Sequence, residues 1–180
     1  MTRDALARMD LLWDRFEAAK SFVPYLPPEA VGECDAYAPP SWYTKTAPYK
    51  AVLLDEPVTE QYRLWHNDMG YWLNSAFIVS LCALLHDLGI RKADKAIQQW
   101  ESITLLADLR NVFAHEDGAY DSSSKQHKKV ENRIARMFGQ QRQSATPPDQ
   151  FPLSIDTVLK PLFLGCREYV SEVWQAVSSD

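Results

Sequence analysis

At 180 residues, 46% apolar and 24% charged, the chain has the length and composition of one folded domain with a real core, and its six Trp, eight Tyr and seven Phe argue against disorder. A net charge of −5 argues against a general, salt-driven nucleic-acid binder, although the charge is uneven: residues 125–142 carry +5 and the remainder −10. Cys34, Cys82 and Cys166 are odd in number, far apart and without a CxxC pair, so they read as reduced thiols rather than a disulfide framework or a zinc site.

The first helix is expected from Asp4 to about Phe22, where Ala5, Leu6, Met9, Leu12, Trp13 and Phe16 recur at helical spacing and Pro24 ends the run. Pro24 to Pro57 holds seven of the eleven prolines together with Tyr25, Tyr37, Trp42, Tyr43 and Tyr49. Such a segment breaks regular helix yet is too aromatic for a free linker. An ordered, irregular excursion lying across the helices is expected, either an interface or a plain surface cover.

The longest helix is expected over Thr59 to Leu88, with Thr59 as N-cap and Gly89 just past the end. From Trp72 to Leu85 it is apolar nearly all round, as suits a central bundle helix. Its longest apolar run, Ser75 to Leu85, falls far short of a membrane span, and the N-terminal segment is amphipathic rather than signal-like, so a cytoplasmic location is expected. Asp94 to His115 reads as the next helix, stopped by Gly118, and Lys125 to Phe138 as a short basic one after the Asp121–Ser124 turn. Ile155 to Val177 reads as the last, kinked or restarted at Pro161. No stretch alternates with period two for long enough to predict a strand. The expected fold is an all-α bundle of four to five helices, a single domain over residues 1–180 with an irregular insertion at 24–57.

The chemistry gathers at Arg110 to His115. Asn111 and His115 lie four apart and share a helix face, while Arg110 is offset from His115 by roughly 140° of ideal helix and reaches round by its length. A guanidinium can hold a phosphate oxygen through paired hydrogen bonds, and an imidazole can take a proton from a 2′-hydroxyl or give one to a leaving 5′-oxygen. A basic strip beside such a site suits a phosphate backbone.

This Arg-Asn-x-x-x-His pattern near a helix end in a small helical bundle resembles the HEPN superfamily, whose signature is Arg, four to six residues, then His, often with a polar residue just after the Arg. The resemblance implies an HEPN-like bundle that dimerises so that two motifs face each other, and in active members a metal-independent ribonuclease of toxin–antitoxin or other defence systems. Other members are non-catalytic scaffolds. It implies that Arg110 holds the phosphate, His115 transfers a proton and Asn111 orients either one; the charge run adds the expectation that Lys125, Lys128, Lys129 and Arg133 guide the RNA, where a plain solvated helix face is the alternative. No cofactor or metal is implied; the implied partners are a second copy, RNA, and a cognate antitoxin or another protein. Asp117 departs from the Tyr that some toxin members carry two residues after the His, and the segment 24–57 lies outside the resemblance.

Two other readings use the same stretch or its neighbour. Arg110 can pair with Asp108, Asp117 or Asp121 while His115 caps the helix. Separately, His86-Asp87 before Gly89 resembles the core of an HD-domain metal phosphohydrolase, with His66 and Asp108 as further ligands. His127 reads as a surface residue of the basic helix, and Trp65, Trp72, Trp100 and Trp174 as core.

Overall fold

In the computed structural model the described residues are 2–23, 25–37, 51–53, 55–115, 120–140 and 150–177. Five helices carry the fold: α1 (Thr2–Ser21), α2 (Glu60–Asp87), α3 (Trp100–His115), α4 (Lys125–Phe138) and α5 (Lys160–Val177). The molecule is an all-α bundle, as its periodicity predicts.

Aromatic packing joins the first, second and last helices. Trp13 of α1 stacks on Phe163 of α5 with ring centroids 4.9 Å apart, and Phe16 stacks on Phe77 of α2 at 4.4 Å. Aromatic pairs of this kind add about 0.5–1.5 kcal/mol beyond the area they bury. On the outside, the carboxylate of Asp10 accepts two hydrogen bonds from Arg167, at 2.7 and 3.0 Å, tying α1 to α5. Helix α3 lies against α2, α4 and α5. Its Leu105, Leu106, Leu109 and Val112 are fully buried. Where α3 crosses α5, Gly165 lets the backbones approach: a Cβ there would lie 2.3 Å from Ser102 Oγ.

Local chemistry sets the helix ends. The Thr59 hydroxyl accepts a hydrogen bond from the Tyr62 amide, and the Ser124 hydroxyl accepts one from the His127 amide. Gly139 closes α4 in the left-handed region at φ 66°. At Pro161 the chain restarts rather than kinks: one π turn, Ile155–Leu159, precedes α5, and the proline occupies the first turn, where a missing N–H costs nothing.

Three expectations change. Helix α3 begins at Trp100, not Asp94. The backbone amides of the preceding stretch go to side chains instead of a helical ladder, Asp94 N–H to the Tyr169 hydroxyl and Gln98 N–H to Glu172, and Gln99 takes a left-handed φ of 59°. The segment 24–57 contains a short antiparallel pair, β1 (Asp35–Tyr37) with β2 (Ala51–Leu53). Three residues are too few for alternation to register in sequence. Backbone bonds from Gly32 N–H to Val58 O and from Val58 N–H to Glu33 O close the base of the excursion, and Asn67 clamps the Leu26 backbone in both directions at 2.9 Å. Trp42 and Tyr43 lie outside the described residues.

The third change concerns α2. Its 28 residues, with a mean hydropathy of 1.3 in the most apolar window, are long and apolar enough by composition to span a membrane. Phe77, Ile78, Leu81, Cys82 and Leu85 are spent on the core, whereas Trp65 and Trp72 are each 65% exposed and belong to the surface. Trp100 and Trp174 pack partly buried against the core.

Lys20, near the end of α1, is buried at 4% exposure, and its Nζ donates to the Gly70 carbonyl at 2.8 Å. Burial lowers its pKa from 10.5 to about 7. Between those two values the unfolded chain holds more protons than the folded one, so this residue makes stability rise as pH increases from 7 towards 10.5. Urea unfolding of wild type and Lys20→Met across that range is expected to show the wild type gaining a few kcal/mol relative to the variant, at about 1.4 kcal/mol per pKa unit. A pH-independent difference between the two refutes the buried-amine account.

Candidate active site at the end of the motif helix

The burial of Leu109 and Val112 fixes the rotation of α3 and so the direction of every polar residue on its last turns. Arg110 is half-buried and Asn111 exposed; Arg110 Nη1 donates to Asn111 Oδ1 at 3.2 Å. His115 is the last residue of the helix, and its side chain, like residues 116–119 with Asp117 and the Gly118 stop, lies outside the described residues. The chain therefore brings Arg110 and Asn111 together.

Arg110 points towards α2. Its positive charge reaches Cys82, where it partly offsets the burial that pushes the thiol pKa up. On the neighbouring turn His86 Nε2 approaches Cys82 Sγ at 4.0 Å, and His86 itself is exposed.

Asp108 lies two residues before Arg110, about 200° round the helix, and faces α4 instead. It pairs with Arg133 and lies 3.7 Å from Lys129, while Glu101, two turns earlier on the same stripe of α3, holds Arg136 at 2.6 Å. Asp108 is thus committed to α4 and is not the partner of Arg110. Asp121, a second suggested partner, accepts hydrogen bonds from the Ser123 hydroxyl and amide, which hold its carboxyl below the usual range, and Asp117, the third, lies outside the described residues.

The basic residues of α4 line an open groove of about 480 Å³: Lys125, Lys128, Lys129, Asn132, Arg133 and Arg136. Of the four cations expected to guide RNA, Lys129 and Arg133 are drawn to Asp108, while Lys125 and Lys128 show no ion pair among the described residues. The groove and Arg110 lie on opposite sides of α3, separated by the exposed edge that carries Asn111.

The HD-type constellation does not assemble. His66 and His86 are twenty residues apart on one helix, about 30 Å of axial rise. His66 stacks on Tyr62, Asp87 pairs with Arg8 at 3.3 Å, and Asp108 faces α4. Among the described residues no group of three His, Cys, Asp or Glu is disposed to hold a metal.

His127 is a correction: it is 1% exposed, not a surface residue. Its spacing with Val130 and Ile134 puts it on the buried stripe of α4. The Nδ1 atom accepts a hydrogen bond from the Asp121 amide at 2.8 Å, so the neutral ring carries its proton on Nε2. The ring packs edge-on to Phe151 at 5.4 Å. His127→Ala is expected to cost about 2–4 kcal/mol, from the cavity and the orphaned amide. Arg110→Ala, at a half-exposed helix position, is expected to stay within about 1 kcal/mol of wild type in the same denaturant titration. The reverse order of these two costs overturns the assignment of one residue to structure and the other to the site. No family model, curated protein or solved structure matches the chain.

Proposed function

We propose that the chain is an HEPN-type protein that acts on RNA through Arg110, Asn111 and His115, cleaving the phosphodiester without a metal. The observation that carries this reading is the state of Arg110. Its guanidinium is half-exposed at the end of the bundle, bonded to the neutral Asn111 amide, and no carboxylate among the described residues compensates its charge. A charge kept in that state suits a phosphate, because the five N–H groups of a guanidinium match the phosphate oxygens two at a time.

The chemistry assigned is transesterification. The 2′-oxygen attacks phosphorus as its proton leaves to a base; the bond to the 5′-oxygen breaks as that oxygen takes a proton from an acid; a 2′,3′-cyclic phosphate and a 5′-hydroxyl result. His115 serves one of the two proton transfers, Arg110 offsets charge on the non-bridging oxygens, and Asn111 orients the phosphate or the imidazole. A second copy bringing its own motif to the same cleft supplies the other transfer, which makes the homodimer part of the reading. An RNA strand that reaches Arg110 and also touches Lys125 and Lys128 crosses the Asn111 edge of α3.

A second reading, a non-catalytic interaction module that binds another protein such as a cognate antitoxin, is favoured by the exposed tryptophans of α2. The two readings separate on a mixed RNA pool in EDTA. Cleavage is expected to persist with the chelator, to fall by about 10²–10⁴ in His115→Ala, and by about 10²–10³ in Arg110→Ala. Wild type and His115→Ala being equally inert ends the ribonuclease reading in favour of the module, and loss of cleavage in EDTA ends its metal independence.

A further inference from the structure

Helix α2 has two apolar faces, and among the described residues only one is packed into the core. Opposite the core residues Phe77, Ile78, Leu81 and Leu85, it exposes Tyr62, Trp65, Met69, Trp72 and Val79, with Met69 at 53%. Ala76, half-buried, and Ala83, exposed, complete the line. From Tyr62 to Ala83 the spacings alternate three and four without a break, the period of a coiled-coil seam, and no charged residue interrupts it. Each Trp leaves roughly 150 Å² open and the seam about 500 Å². That lies in the upper part of the range for the largest patch on a monomer and supplies most of the roughly 800 Å² per partner of a stable interface.

The shape of the seam selects what covers it. Laid antiparallel on a second α2 with the two-fold axis level with Asn74, Trp72 meets the partner's Ala76, Trp65 meets the partner's Ala83, and Met69 meets the partner's Val79. Each bulky residue faces a smaller one, so the two axes stay evenly spaced. A parallel pairing sets Trp on Trp and Ala on Ala, which no single separation accommodates. The flanks are compatible as well, because Asp68 falls opposite the partner's Cys82 and no like charges oppose each other.

We propose that this face of α2 is the docking surface for a second copy of the chain, antiparallel and centred on the level of Asn74. The link between α2 and α3 joins Asp87 to Trp100, while Tyr71 meets Phe113 at the far end with ring centroids 6.2 Å apart, so the two helices run antiparallel. Counting three residues back from that contact puts the Arg110 backbone level with Asn74. The same two-fold therefore crosses both copies of α2 at the level of the Arg110 backbone. The proposal names the surface and register of the second copy invoked for the ribonuclease, and it stands on α2 alone.

Light scattering of the full chain is expected to give twice the 20.6 kDa chain mass, and Trp72→Glu to give one chain mass with an unchanged circular dichroism spectrum. In a Cys34→Ser background, Ser75→Cys, which falls next to its own copy across the axis, is expected to form an intermolecular disulfide under mild oxidation. Ser80→Cys, which falls near the partner's His66, is not. This cross-link keeps the register testable even where the Glu variant fails to fold. A wild-type monomer at tens of micromolar overturns the proposal, as does a dimer indifferent to Trp72→Glu, equal cross-linking at both positions, or a monomer that partitions onto phosphatidylcholine–phosphatidylglycerol vesicles. A dimer that meets every expectation but leaves RNA intact upholds this surface and removes the catalytic reading; a cleaving monomer does the opposite.

Discussion

The position of every polar group discussed above depends on the burial of one stripe of α3. Leu105, Leu106, Leu109 and Val112 are sealed between α2, α4 and α5. Rotating α3 to expose any of them costs about 1.5–3 kcal/mol per side chain. With that stripe fixed, residues two apart must diverge. Asp108 goes to α4, Arg110 goes to α2, and Asn111 is left on the open edge between them. The candidate site and the basic groove are separate features because the core separates them, although in sequence their residues look like one charged region.

The same constraint explains how much was legible beforehand. Helix α4 could be read to the residue because its ends are local: a Ser124 cap at one end and a left-handed Gly139 at the other. The start of α3 was not legible, since the amides of Asp94 and Gln98 are satisfied by Tyr169 and Glu172 from a helix more than seventy residues later. His127 was misplaced although its signal was present, in the three-and-four spacing with Val130 and Ile134; the surrounding lysines drew attention to the wrong face. Arg110 and Asn111 were found because a polar pair at the end of an apolar helix needs no tertiary knowledge to stand out.

The tryptophans of α2 show a different limit. A helix apolar all round has no moment to say which side is inside, and burial was the default expectation. What resolves the faces is the partner each one meets. Phe77 has Phe16 stacked against it, while Trp65 and Trp72 are each 65% exposed. The heptad spacing of the exposed residues was present in the sequence. It became informative only once the other face was assigned to the core.

Electrostatics then decides which cations on the two sides of α3 are already paired. The excess positive charge of residues 125–142 overstates what α4 offers a nucleic acid, because Asp108 and Glu101 draw on Lys129, Arg133 and Arg136. The Arg133–Asp108 pair is largely withdrawn from solvent, with side chains 16% and 21% exposed, so breaking it to free Arg133 for a phosphate strands a carboxylate. Among the described residues Lys125 and Lys128 show no such ion pair. The thickness of α3, about 10 Å, stands between them and Arg110. On the proposed reading the groove attracts and aligns a strand, and charge at the reacting phosphorus falls to the guanidinium of Arg110, which among the described residues meets an amide rather than a carboxylate.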